Sequence, residues 1–465
     1  MGENLEISND DEIDHWIDSI PTEMNACSLE VLRNYRSLNI LENLEDLEEK
    51  SKLHPLIIGC YQLDESESST AGNRDGQLRL YMVDEKARKN ELSDLSFCNK
   101  SNLNLYSESI PEHICQTEAG VLDGKWLQRC PMTLSKISDD PDLKTNKRCH
   151  IFASASASGK IWLHLLNFDK QSSFCMEPFV SSSSSTDGTN DNRICLALDI
   201  DESNVNADSG TGSIKIISSY SDGTLAIHTV VFPGTEGDVR IEEDVRWRAH
   251  SLFNGMAPAE VWTCCWAKTK NNEAYSNLVL SGGDDCKLKG WDVRLPMTPS
   301  KPIFQIGEEE HGAGVTALSW HPKNTNVFAS GSYDEGVRIW DIRCMTSSAD
   351  SSGWSGRPKM LAKIDSSGGG IWRLKWHPDE ASKLLVGAMH GGCRVLNIPA
   401  LESEANTQNN VGIDIIASFT AHKSMAYGAD WLSTSTCRDD DSVVGVDVAA
   451  SCSFYDQRSF LWKVN

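Results

Sequence analysis

Trp262, Trp372 and Tyr427 each stand four residues ahead of another Trp, namely Trp266, Trp376 and Trp431. Aromatic rings at one shared register could form a box for a quaternary ammonium group, since ring faces attract cations. Glu260, Asp123 and Asp430 lie within a few residues of such positions and would add negative charge. Arg373, beside Trp372, could orient a carboxylate or stabilise an oxyanion. His390 stands where comparable segments carry a turn residue and cannot fill that turn in the same way. The same aromatics could instead pack between structural layers, and Arg373 could be paired with a neighbouring acid. Among common catalytic signatures, no G-x-S-x-G, HExxH, P-loop or G-x-G-x-x-G after a strand occurs. Any active site is therefore assembled from loops and strand ends.

The elements that position these residues come from a repeat. SGGDDCKLKGWDVR from Ser281 and SGSYDEGVRIWDIR from Ser330 align without gaps, each with an Asp (Asp285, Asp334) six residues before a Trp (Trp291, Trp340). The six-residue register recurs at Asp75 to Tyr81, Ser158 to His164, Asp222 to His228, His390 to Leu396 and Ala449 to Tyr455. Alternating apolar residues inside most of these windows mark strands. An apolar residue five before a Trp precedes most units: Val121 to Trp126, Val261 to Trp266, Val315 to Trp320, Ile371 to Trp376 and Ala426 to Trp431, with a weaker ICLALD before Asp222. Seven such units predict an all-β, seven-bladed WD-repeat β-propeller over residues 53–465. Its mouth would gather the candidate residues.

Residues 1–52 do not show the repeat and read as an acidic extension, partly helical because Leu29, Leu32, Tyr35, Leu38, Leu41, Leu44 and Leu47 recur every three residues. Either this segment supplies the first inner strand in disguise or blade one is incomplete. Polar runs such as SSSSSTDGTNDN and ESEANTQNN read as solvated insertions. The turn acids have a structural explanation as well: His311, Ser330, Asp334 and Trp340, and again His250, Ser281, Asp285 and Trp291, match a hydrogen-bonded tetrad.

Composition narrows the function. With 43 Lys+Arg against 67 Asp+Glu, the 465-residue chain carries a formal charge of −24, which argues against binding nucleic acid and suits a basic protein partner. No apolar run approaches the ~20 residues of a membrane span, and the acidic start is unlike a signal peptide. Fifteen Cys without a CxxC pair read as free thiols in a reducing, cytoplasmic setting. Neither a cofactor nor a metal is expected.

GGGIWRLKWHP (Gly368 to Pro378), AMHGGCRVLNI (Ala388 to Ile398) and AYGADW (Ala426 to Trp431), together with the two Trp-Asp segments, resemble the WD-repeat diphthine methyl ester hydrolases of diphthamide biosynthesis. VLDGKW and IIGCYQL agree more weakly. The resemblance covers residues 55–465 and implies a cytosolic esterase whose protein substrate is translation elongation factor 2; for that hydrolysis His390 is the first candidate for the general base, with Asp430 or Glu260 as alternates and Arg373 as oxyanion partner. A competing reading rests on Trp291-Asp292-Val293-Arg294 and Trp340-Asp341-Ile342-Arg343, which are similar to the box by which some WD-repeat adaptors dock on cullin-RING ubiquitin ligases. Arg294 and Arg343 would then contact a ligase linker, or serve only as solvated surface charges. A plain peptide-binding scaffold is the third reading.

Overall fold

The computed structural model describes residues 16–32, 53–63, 74–84, 111–128, 132–133, 148–168, 174–182, 193–203, 205–206, 211–231, 239–268, 275–294, 301–347, 354–401, 412–432 and 447–464. Seven antiparallel sheets, each with a path of four strands, follow one another along the chain as the blades of a propeller. Their inner strands are Asn25–Val31, Val121–Trp126, Cys195–Asp201, Thr263–Trp266, Val315–Trp320, Arg373–Trp376 and Ala426–Leu432, in blades one to seven. Each inner strand touches the inner strands of both neighbouring blades, so all seven surround one axis.

The ring closes through the N-terminal segment. Trp16–Pro21 is the outermost strand of blade seven, paired with Arg458–Val464 in the register Ile20↔Ser459 and Pro21↔Arg458. The chain then crosses inward, and Asn25–Val31 becomes the inner strand of blade one. Residue 52 is thus no boundary between an extension and the ring, and blade one is complete. Leu29 lies in a strand rather than a helix, whereas Leu38, Leu41, Leu44 and Leu47 fall outside the described residues. All of Ala26 to Val31 is buried, and a strand covered on both faces loses the alternation by which strands are read. Among the described residues no helix is long and apolar enough to cross a membrane.

Apolar side chains fill the spaces between blades. Ile20, Leu29 and Tyr81 of the first and last sheets share one cluster with Val448 and Leu461, and Ile151, Leu163 and Leu198 join blades two and three. Close approach is enforced by glycine at Gly331, where a Cβ would lie 2.3 Å from Ile371 of the next blade.

The tetrads brace the blades unequally. In blade four, His250 Nδ1 meets Asp285 Oδ1 at 2.6 Å, its Nε2 meets Ser281 Oγ at 2.7 Å, and Trp291 Nε1 donates to the same oxygen at 2.8 Å. Blade five keeps His311 Nε2 to Ser330 Oγ (3.0 Å) and Trp340 Nε1 to Ser330 Oγ (2.8 Å). Its Asp334, however, turns to Arg338 and to the N–H of Gly312 instead of His311. Blade seven has a third version, His422, Ser451 and Trp462, with Asp456 3.9 Å from His422. The last unit therefore runs from Asp456 to Trp462, not from Ala449 to Tyr455; Ala449 is buried mid-strand. Asp75 likewise lies in a ladder, opposite Gln62, and not in a tight turn.

His164 and His228 occupy the Trp position in blades two and three and meet Ser154 Oγ at 2.9 Å and Ser218 Oγ at 3.0 Å. Burial lowers the former to about 3 and the latter to about 4, from 6.5. Both are neutral in the folded ring, so their contribution to stability is full above pH ~6.5 and is lost as pH falls toward those values. Thermal midpoints should decline through this window, and His164→Asn with His228→Asn should flatten the decline. For ring closure, Ile20→Ala should cost about 2–4 kcal/mol, read from denaturant unfolding.

Candidate active site at the axial mouth

Bulges aim the mouth residues. The ladder register shifts between Ala26 and Ser28, Val121 and Asp123, Cys195 and Ala197, Val315 and Ala317, and Ala426 and Gly428. The skipped residues are Cys27, Leu122, Leu196, Thr316 and Tyr427. A bulge leaves one residue unpaired and re-aims its side chain. In blades four and six the corresponding Trp262 and Trp372 stand just before the inner strand begins.

The three aromatics do meet. Ring centroids are 5.7 Å apart for Trp262 and Trp372 and 4.9 Å for Trp372 and Tyr427. Tyr333 completes the group at 6.1 Å from Trp262 and 6.2 Å from Trp372, and Phe454 continues it 5.5 Å beyond Tyr427. All four rings of the central group are partly exposed. Asp284 accepts a 3.4 Å hydrogen bond from Trp262 Nε1. Glu260 is half-buried, and burial followed by the charge of Asp284 raises its pKa. Burial, then Asp284 and Glu260, pushes the Tyr333 phenol up to about 12.

A cavity of about 750 Å³, open mouth included, leads from Trp262 and Trp372 down the axis. Its upper wall pairs Arg373 Nη1 with Asp123 Oδ1 at 2.7 Å, and Arg373 Nε reaches the Tyr427 carbonyl at 3.5 Å. Nη2 of Arg373 has no hydrogen bond to a described residue. Lower down, Asp199 lies 3.2 Å from Lys125 and 3.3 Å from Lys268, while Lys375 contacts Glu30 and is 3.9 Å from Asp430. Burial works to raise Asp199, yet the two lysines and the Trp266 N–H outweigh it and hold the carboxyl at about 2.

Three acids tie adjacent inner strands: Asp123 takes the Leu198 N–H (3.2 Å), Asp199 that of Trp266 (2.8 Å) and Asp430 that of Val31 (3.0 Å). The other oxygen of Asp430 accepts the Trp431 N–H at 2.9 Å, and the residue is 1% exposed. With both oxygens engaged in the wall, Asp430 is a brace and not a water-facing base. Asp123 is likewise committed to Arg373 and Leu198 and acts on a bound group only through Arg373. His390 is exposed in the tight turn of blade six and makes no hydrogen bond or ion pair with a described residue. Its neighbour Met389 places sulfur beside Gly370, where a Cβ would lie 3.2 Å from both that sulfur and Tyr333. The turn thus borders the mouth, although no direct contact joins His390 to Arg373, Asp430 or Glu260.

Asp284, Tyr333 and Met389 went unread in the sequence. The signal was present: each directly precedes the turn position (Asp285, Asp334, His390), a second register that faces the mouth. His377, Glu380 and Asp447 cluster closely enough for a metal, but they fit one poorly. His377 Nδ1 accepts the N–H groups of Asp379 and Glu380, so Nε2 carries the proton and faces Asp447 at 3.3 Å, and Lys383 bonds both carboxylates. Arg294 and Arg343 are exposed, each folded back on the acid of its own motif, Asp292 and Asp341.

Comparison with known proteins agrees with this layout. A WD domain, G-beta repeat matches residues 301–341, within blades four and five. A Dictyostelium discoideum protein named diphthine methyltransferase homolog is 28% identical over 415 residues, 87% of this chain and 92% of that protein. The Homo sapiens diphthine methyltransferase is 28% identical over 388 residues, 81% of this chain and 69% of its own. That of Mus musculus is 33% identical over 301 residues, 61% and 52% of the two chains. Over most of its length the chain is similar to proteins named diphthine methyltransferase. Trp262, Trp372 and the Arg373–Asp123 pair line one cavity.

Removing one partner of so buried an ion pair costs about 3–5 kcal/mol. Asp123→Leu should destabilise the ring by that order in denaturant unfolding, and adding Arg373→Met should recover part of the loss.

Proposed function

We propose that this protein hydrolyses the methyl ester of a methylated diphthine side chain on translation elongation factor 2, releasing methanol and leaving a carboxylate for later amidation. The observation that carries the reading is the grouping at the mouth of four aromatic rings and two acids beside Arg373, whose Nη2 bonds no described residue. A trimethylammonium group suits the rings of Trp262, Tyr333, Trp372 and Tyr427, with Glu260 and Asp284 adding charge attraction. The ester carbonyl, a few bonds away on the same side chain, would point at Arg373 Nη2.

In the proposed reaction a water oxygen bonds to the ester carbon as His390 takes its proton. The carbonyl electrons move onto oxygen, where Arg373 stabilises them. Collapse of the tetrahedral intermediate breaks the C–OCH₃ bond, and methoxide leaves with a proton returned by His390. Asp123 holds Arg373 in place and keeps its Nη1 edge occupied, so that Nη2 is the edge offered. The relatives' name speaks of methyl transfer; in the proposed reaction the methyl group leaves as methanol with its ester oxygen, and the acyl group passes to water.

Methanol release from methyl-esterified elongation factor 2 measures this directly. His390 is exposed, so His390→Ala should fold normally and lower kcat by roughly 10²–10⁴-fold. Arg373→Ala should lower it by roughly 10²–10³-fold, and Trp372→Ala should act mainly on KM. Unchanged turnover in His390→Ala would remove that residue from the mechanism.

A further inference from the structure

Between the outer strand of blade three and the inner strand of blade four the chain makes a small hairpin, with Ser251 opposite Pro258 and Leu252 opposite Ala257. At its tip Phe253 is 70% exposed and Met256 84%, the two most exposed large apolar side chains among the described residues. Phe253 and Asn254 adopt φ of 49° and 55°. Left-handed backbone is uncommon for a non-glycine residue and disfavoured for a bulky one such as Phe. Such a conformation, used to hold an aromatic ring in water, gives the fold nothing in return.

The hairpin is rooted at the mouth. His250 at its start bonds Asp285, and Glu260 just past its end accepts the Asp284 N–H at 2.9 Å. Trp262 follows two residues later. The turns beside this root are acidic: Asp284, Glu308 and Glu309 are exposed. Burial, then the charges of Glu308, Asp284, Asp285 and Asp334, raises the pKa of the neighbouring Cys286 thiol. Of the nearby cations, Lys289 pairs with Asp285, Arg338 with Asp334 and Arg357 with Glu309 at 3.8 Å, while Lys287 lies in the same turn as Asp284.

We propose that the Ser251–Pro258 hairpin and these acidic turns form the docking surface for the ester-bearing protein, holding a segment that offers an apolar recess bordered by Lys or Arg. The proposal rests on the reading that the substrate is a side chain of a folded protein. Phe253 and Met256 supply apolar anchors beside the opening, and the carboxylates steer and align the basic border. The modified side chain then enters the mouth while its carrier stays on the rim.

Affinity of the full-length protein for methyl-esterified elongation factor 2, measured by calorimetry alongside methanol release, provides the test. Phe253→Asn with Met256→Gln keeps a residue that tolerates left-handed backbone while removing the anchors. This variant should bind at least tenfold more weakly, with an equal or higher thermal midpoint and an unchanged kcat at saturation. Glu308→Gln with Glu309→Gln should weaken binding in low salt and reduce its salt dependence. Equal affinity of the hairpin variant and the wild type, or no binding by the wild type, overturns the proposal; equal affinity of the Gln pair overturns its electrostatic half. A wild type that binds but releases no methanol defeats the hydrolase reading, while the affinity comparison still decides the docking surface.

Discussion

Seven inner strands crowd around one axis, and each turns toward it an edge that no strand of its own sheet covers. Backbone N–H groups on such an edge, withdrawn from bulk water, need partners. Three of them find carboxylates of the preceding blade: Leu198, Trp266 and Val31 donate to Asp123, Asp199 and Asp430. These bonds run between blades, so they fix the spacing of the ring as well as satisfying its edges. Carboxylates buried in this way require counter-charges, and Lys125, Lys268, Lys375 and Arg373 provide them. The lining of the axis is a consequence of closing the ring.

That lining makes chemistry available at one level only. Deep in the channel the cations and acids neutralise one another through several contacts. Near the top, Arg373 is held by Asp123 and the Tyr427 carbonyl through Nη1 and Nε, and its Nη2 bonds no described residue. The same bulges that start the inner strands place Tyr427 at the rim, and the neighbouring blades bring Trp262, Trp372 and Tyr333 against it. A side chain carrying both a cation and an ester would be read at two heights by groups whose positions are fixed by separate structural demands.

Much of this was legible in the sequence. The Asp-to-Trp interval gave the blades, and the residue four before each inner Trp gave three of the mouth aromatics. Blade one was hidden because Asn25–Val31 is buried on both faces and shows no alternation, and because the strand that closes the ring, Trp16–Pro21, precedes it and belongs to the opposite end of the chain. The last blade was misaligned because Asp447–Ser453 is uniformly buried and its Ala449 mimicked a turn residue. Asp430 and Asp123 looked like mouth acids because sequence shows which residues share a level but not which are spent on the neighbouring blade. Tyr333 and Asp284 lay in plain sight before the turn acids, in a register that periodicity alone does not mark as axial.

Methyl transfer, which the relatives' name implies, and the proposed hydrolysis differ in which bond of the ester breaks. The proposed hydrolysis attacks the carbonyl carbon and builds an oxyanion for Arg373 to stabilise, whereas transfer of the methyl group breaks the O–CH₃ bond and releases a carboxylate that the same arginine would attract. Turnover of methyl-esterified elongation factor 2 in ¹⁸O-labelled water separates the two most directly. The label is expected in the diphthine carboxylate, with unlabelled methanol; labelled methanol with an unlabelled carboxylate would contradict attack at the carbonyl carbon.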